Sequence, residues 1–165
     1  MKASQLIILF AVMCIAAVSC KKEELQIDKD TDVIKSYLNE HNINAVDIDH
    51  VFYVENVVGT GEQCEMGDTV FIKYSYKSLK DPNKVLVNQL DIAEQIFLPY
   101  SRTSSSSILY GLQIGLPTMK EGGKTTFYIP ASYAFGRDSI ANGETYANLI
   151  FDVELCEIYH RDKRH

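Results

Sequence analysis

The chain has 165 residues, with 16 basic and 22 acidic side chains, a formal net charge of −6 and a hydrophobic content of 46%. That length suits one domain with its own core, and an acidic chain with no interleaving of basic and aromatic residues argues against nucleic acid as a partner. The four histidines (His41, His50, His160 and His165) lack metal-ligand spacing and there is no Cys-x-x-Cys pair, so no metal site, thiol redox centre or cofactor is expected.

At the N-terminus, Lys2 is the only charge before an uncharged apolar run from Leu6 to Ala17. A membrane-spanning helix needs about 20 apolar residues, so this shorter run fits the hydrophobic region of a secretory signal. Ala17-Val18-Ser19-Cys20 then resembles a bacterial lipobox, in which the cysteine is acylated and the chain is cut just before it. The expectation is a signal over 1–19 and a lipid-carrying Cys20, with the protein anchored to a membrane of the bacterial cell envelope, on the periplasmic face or the cell surface. An ordinary cleaved signal with an incidental cysteine is the alternative. Cleavage would leave 146 residues and remove one lysine, taking the net charge to −7. Residues 20–30, with Lys21-Lys22-Glu23-Glu24, read as a solvated tether or a sorting signal. Cys64 and Cys156 would then remain in the folded part. An oxidising compartment permits their pairing, but two isolated cysteines form no framework, and they read as unpaired structural thiols.

Residues 31–46 read as a small helix. Asp30 or Thr31 can cap it, and Val33, Ile34, Tyr37 and Leu38 share one face before Asn42-Ile43-Asn44 ends it. From His50 the period changes. Val51 to Val58 reads as a strand closed by Gly59-Thr60-Gly61. In Thr69 to Lys77, Val70, Ile72, Tyr74 and Tyr76 alternate with Phe71, Lys73, Ser75 and Lys77, the pattern of a half-buried strand. Lys80-Asp81-Pro82-Asn83 is a turn by composition, and further strands are expected at Lys84–Leu90 and Gln95–Leu98. Ser104 to Ser107 can cap a helix carrying Ile108, Leu109, Leu112 and Leu116 up to Pro117, about three turns long. After a turn at Met119–Gly123 come strands at Thr125–Ile129 and Leu149–Leu155, and residues 159–165 read as a charged tail. The sum is an α+β domain: a mostly antiparallel sheet of five or six strands, one short covering helix and an appended N-terminal helix.

Five blocks, in order, resemble the FKBP-type peptidyl-prolyl cis-trans isomerases: Gly59-Thr-Gly61, Gly67-Asp68-Thr-Val70, Gly111 to Lys124, Ile129-Pro130-Ala-Ser-Tyr133-Ala-Phe135-Gly136, and Leu149 to Leu155. The resemblance runs from His50 to Ile158, and the prefix at 32–58 looks like Bacteroidetes-type lipoproteins of this family. It implies a bent sheet wrapped around the helix at 108–116 (an FKBP-like domain over 50–158), with an apolar pocket between sheet and helix. It carries pocket roles onto Tyr74, Ile108, Leu109 and Phe151, with Phe97 as a looser aromatic wall.

Four positions depart from the family's pattern. The pocket-floor tryptophan falls on Leu112, and the chain has no Trp. The tyrosine that donates a hydrogen bond to ligand falls on Phe135. The Phe-Asp pair falls near Val85-Leu86-Val87-Asn88, and the Ile-Pro-Pro loop is replaced by Gly143-Glu144-Thr145-Tyr146. The pocket set is therefore Tyr74, Leu86, Phe97, Ile108, Leu109, Leu112, Phe135 and Phe151, with no catalytic residue assigned. The implied partners are proline-containing peptides or unfolded exported proteins, besides the membrane through Cys20. The implied function is a folding-assisting (chaperone-like) isomerase with a degenerate, weakly active site. A non-catalytic peptide-binding module and an accessory lipoprotein of an envelope complex are the alternatives.

Overall fold

The alternation in Val70 to Tyr76 belongs to a strand paired on both edges. In the computed structural model, which describes residues 26–97 and 108–160, this strand is β3 (Thr69–Ser78). The others are β1 (Val46–Ile48), β2 (Val51–Val57), β4 (Val85–Phe97), β5 (Lys124–Ile129) and β6 (Leu149–Tyr159). They form one sheet of six strands in the order β1-β2-β5-β6-β3-β4, and every pairing is antiparallel. Side-chain surroundings are described for residues 26–91 and 110–160.

Two helices cover the sheet, α1 (residues 26–40) and α2 (Ile108–Gly115), the latter running into a 3-10 turn at Leu116–Thr118. Helix α2 contains Gly111 and Gly115, which are unfavourable within a helix. A Cβ on Gly111 would collide with the Ile129 side chain, and one on Gly115 with the Phe127 ring. Their bare backbone is what lets α2 lie against β5. The resulting front core includes Val70, Ile72, Leu112, Leu116, Phe127, Ile129, Phe151 and Leu155. On the other face α1 lays Ile34 and Leu38 over Phe52, Leu79, Tyr128 and Ile150.

Three expectations need correction. First, the N-terminal helix spans 26–40 rather than 31–46. Asp30 and Thr31, read as caps, lie within it and are buried at 6% and 3% exposure, whereas Val33 is 54% exposed. Ile27, Asp30, Thr31, Ile34 and Leu38 share the inward face, which keeps helical period once the two polar residues are counted as buried. Their partners come from distant sequence. The Asp30 Oδ2 atom accepts hydrogen bonds from the Ser132 amide (3.3 Å) and hydroxyl (2.9 Å), and Thr31 Oγ1 meets His50 Nδ1 at 3.2 Å.

Second, the strands read at 84–90 and 95–98 are one strand, β4. Ile72 faces Glu94 while Tyr74 faces Gln89, so β4 carries extra residues as a bulge. The intervening residues include no Gly or Pro to end a strand, and a bulge absorbs the insertion without breaking the pairing. Leu98 lies outside the described residues. Third, the strands do not begin only after His50: Val46–Ile48 form the three-residue β1, joined to β2 through Asp49 and His50, both with positive φ (47° and 66°). That is the backbone twist a tight hairpin requires, and the Asp47 side chain accepts a hydrogen bond from the His50 amide at 3.2 Å.

Candidate functional site

Phe151 stands at the centre of β6, 1% exposed. Strand β3 sets Tyr74 opposite Val153 and Tyr76 opposite Phe151, and side chains two apart on a strand share a face. Both tyrosines stack on the Phe151 ring: Tyr74 at 5.3 Å and 24°, Tyr76 at 5.1 Å and 18°. Phe135 comes from the loop after β5 and tilts against Tyr76 at 5.9 Å. Leu112 of α2 is fully buried within the same cluster, and Leu86 of β4 packs on it half-buried. Tyr133 meets Tyr110 of α2 edge-on at 4.8 Å.

Of the sequence-derived pocket set, the structure thus brings Tyr74, Leu86, Leu112, Phe135 and Phe151 into one aromatic-apolar wall. Phe97 ends β4 opposite Thr69, and Ile108 and Leu109 open α2; the side chains of these three lie outside the described residues. Cys20 also lies outside them, as do the signal, the residues of the tether before 26, Ser104 to Ser107 and the tail from 161. Sequence reasoning passed over Tyr76 and Tyr133. Tyr76 was legible as a member of β3's inward face, but nothing in the period shows that it touches both Phe151 and Phe135.

The loop that holds Phe135 is tied down along its length. After Pro130 comes a short 3-10 turn, Ala131–Tyr133. The Ala131 amide donates to Asn148 Oδ1 at 2.8 Å, and the Gly136 amide to the Ala131 carbonyl at 2.9 Å. Gly136 takes a φ of 58°, a conformation that favours glycine. Farther on, Glu144 anchors the loop to the end of β3. It accepts from Ser78 Oγ at 2.6 Å and pairs with Lys80 at 2.9 Å. Burial pushes the Glu144 carboxyl up, but the Ser78 and Lys80 hydrogen bonds, the Lys80 charge and an Asn142 contact outweigh it and hold the group below its ordinary value.

Cys64 and Cys156 are unpaired; burial first, then the Asp68 and Glu65 carboxylates, pushes the Cys64 thiol up to about 12, so it stays protonated and unreactive. His160, read as part of a charged tail, is held between Asp68 (Nδ1, 2.9 Å) and Glu62 (Nε2). Among the described residues no cluster of His, Cys, Asp and Glu could hold a metal ion, and no helix is long and apolar enough to cross a membrane. Two open hollows of about 400 and 570 Å³ flank α1, with linings that include Asp32, Glu40 and Glu144 or Asp28, Asp47 and Asp49. They contain no stacked aromatic set, so the wall around Phe151 is the better candidate site.

The pattern of the FKBP-type peptidyl-prolyl cis-trans isomerases matches residues 60–156. The chain belongs to this family. "FK506-binding protein 4" of Dictyostelium discoideum is 34% identical over 105 residues, which is 62% of this chain and 27% of that protein. The chain thus matches only about a quarter of that relative. "Peptidyl-prolyl cis-trans isomerase FKBP15-3" of Arabidopsis thaliana is 26% identical over 85% of this chain and 96% of its own length. The FKBP fold is shared with the crystal structure of a Pseudomonas syringae peptidyl-prolyl isomerase, at a TM-score of 0.61 and 17% identity over 81% of this chain and 96% of that one. It is shared equally with FkpA of Escherichia coli, at 0.59 and 21% over 95% of this chain and 71% of that one. Of the two helices, α1 precedes the segment that matches the FKBP family, and α2 lies within it.

Proposed function

We propose that this FKBP-family protein is a lipid-anchored peptidyl-prolyl isomerase of the bacterial cell envelope, acting on proline-containing segments of exported proteins with modest efficiency. The observation that carries the reading is the stack of Tyr74, Phe151 and Tyr76 with Phe135 beside it, an apolar aromatic surface next to α2. Rotation about an X–Pro bond meets a barrier of about 18–20 kcal/mol because amide resonance is lost at the perpendicular geometry. No covalent bond breaks, so a site accelerates the reaction by binding the twisted amide better than either planar form. The twisted amide is less polar than the planar ones, and an aromatic, water-poor wall favours it while the prolyl ring packs against the rings.

Efficiency is expected to fall below that of typical relatives because Leu112 offers no flat floor and β4 carries Leu86-Val87-Asn88 where a carboxylate would orient the ligand. The same two features support a second reading, a non-catalytic module that holds an extended peptide. A proline-peptide isomerisation assay on the full chain separates the two: slow but measurable catalysis is expected. Turnover as fast as a typical relative overturns the degenerate-site argument, and binding without any acceleration favours the module. The anchor rests on the Ala17-Val18-Ser19-Cys20 motif. Cys20→Ser should move the protein from the membrane fraction to the soluble one, and a variant still membrane-bound after a salt wash rejects acylation as the sole attachment.

A further inference from the structure

Among the described residues, the aromatic wall contains one polar group with no hydrogen-bond partner. Tyr76 is only 8% exposed, its ring held between Phe151 and Phe135. Its hydroxyl makes no hydrogen bond to any described residue, yet it is not among the fully enclosed unpartnered atoms, as Gln113 Oε1 is. The oxygen therefore keeps an opening to the outside while the ring is packed. A hydroxyl in apolar surroundings without an acceptor is destabilising, and a phenylalanine would fill the same ring position without that penalty. The neighbouring rings of Phe135 and Phe151 offer no donor at all.

We infer that Tyr76 is the hydrogen-bond donor of the site, fixing the carbonyl oxygen of an X–Pro peptide seated against the half-buried rings of Tyr74 and Phe135. Burial raises the Tyr76 hydroxyl above the ordinary tyrosine value, which keeps it protonated and able to donate. An acceptor supplied by the peptide completes the only bonding capacity this wall leaves open among the described residues. In this role Tyr76 supplies from β3 the hydroxyl that Phe135 lacks. The inference rests on the peptide-binding reading of the same wall.

The test reads the hydroxyl in the wild-type full chain, labelled with 13C at tyrosine Cζ. The Tyr76 resonance is assigned by its disappearance in Tyr76→Phe. A tetrapeptide with a central Ala-Pro bond is then added while its isomerisation is followed in parallel. The Tyr76 resonance is expected to shift to saturation. Tyr76→Phe should weaken peptide binding and lower kcat/KM by about three- to tenfold, the range of one hydrogen bond. Its thermal midpoint should stay near that of the wild type, and adding Phe135→Tyr to it should recover part of the loss. A Tyr76 resonance unmoved at saturating peptide overturns the inference, as does a Tyr76→Phe protein that binds and turns over within twofold of wild type. A saturating shift without turnover supports the donor and rejects the isomerase. Turnover with an unmoved resonance rejects the donor and leaves the isomerase standing. Absence of both rejects both.

Discussion

The two faces of the sheet are both covered, but by different means. On the front, α2 and the strands enclose a large, almost wholly apolar cluster around Phe127 and Phe151, against which the partly buried Tyr74, Leu86 and Phe135 pack. On the back, α1 contributes a small apolar patch of Ile34 and Leu38 together with a buried polar latch. In that latch Asp30 holds Ser132, Asn148 bonds the Asp30 carbonyl at 3.4 Å, and the same Asn148 holds the Ala131 amide. The front is built from area, the back from geometry. Apolar burial is non-directional and tolerates adjustment, whereas a buried carboxylate requires its donors in place. The latch grips the turn at Ala131–Tyr133, immediately before Phe135. The helix outside the segment matched by the family pattern thus touches the loop that supplies one ring of the site.

The largest expected effect tests the front. Phe151→Ala removes the ring on which both tyrosines stack and should destabilise the protein by about 3–5 kcal/mol, measured by denaturant unfolding. A variant that unfolds like the wild type would break the claim that this face carries the stability. Next comes the latch. Asp30→Ala leaves the Ser132 amide and hydroxyl without their acceptor and should cost about 1–3 kcal/mol. It should also speed hydrogen exchange at the amides of 131–136 without loosening β3 and β6. If exchange rises equally throughout the sheet, the two faces are one cooperative unit and the contrast fails.

The smallest effect concerns the loop anchor. The folded protein holds the Glu144 carboxyl below its ordinary value. Its stabilising contribution is therefore fully present above that value and is lost as pH falls through the lower folded-state value. Glu144→Gln should flatten this part of the acid side of the stability curve and change neutral-pH stability by no more than about 1 kcal/mol. Thermal melts of both proteins between about pH 3 and 6 check it; identical acid-side slopes would show that Glu144 does not anchor the loop.

Much of this architecture was legible in the residues. Alternation located β3 closely and the start of β6, which runs four residues beyond Leu155 to Tyr159, and the Gly111–Lys124 and Ile129–Gly136 blocks carry the FKBP pattern in their residue types. Less legible was α1, whose inward face carries Asp30 and Thr31. Taken alone, such residues read as caps, and only partners from the loop after β5 and from the β1–β2 turn explain why they are buried. The hairpin at Asp49-His50 also gave little warning, since neither residue is the glycine that usually marks such a turn.

The family, the two-residue period of the central strands and the residue types at Leu112 and Phe135 are already present in the linear chain, because each is a property of local residue type and spacing. What covers each face depends on tertiary packing. Along β6, Leu149, Phe151, Val153 and Leu155 are buried, and so is Ile150 on the opposite side. Alternation can say that a strand has two faces; it cannot say that both are enclosed, since that depends on helices whose position is set by packing. Tyr76 shows the same limit at the site. Its inward direction followed from the period of β3, but the open hydroxyl between Phe151 and Phe135 follows from three segments meeting at one point, and contacts between segments so far apart leave no trace in the spacing of any one of them.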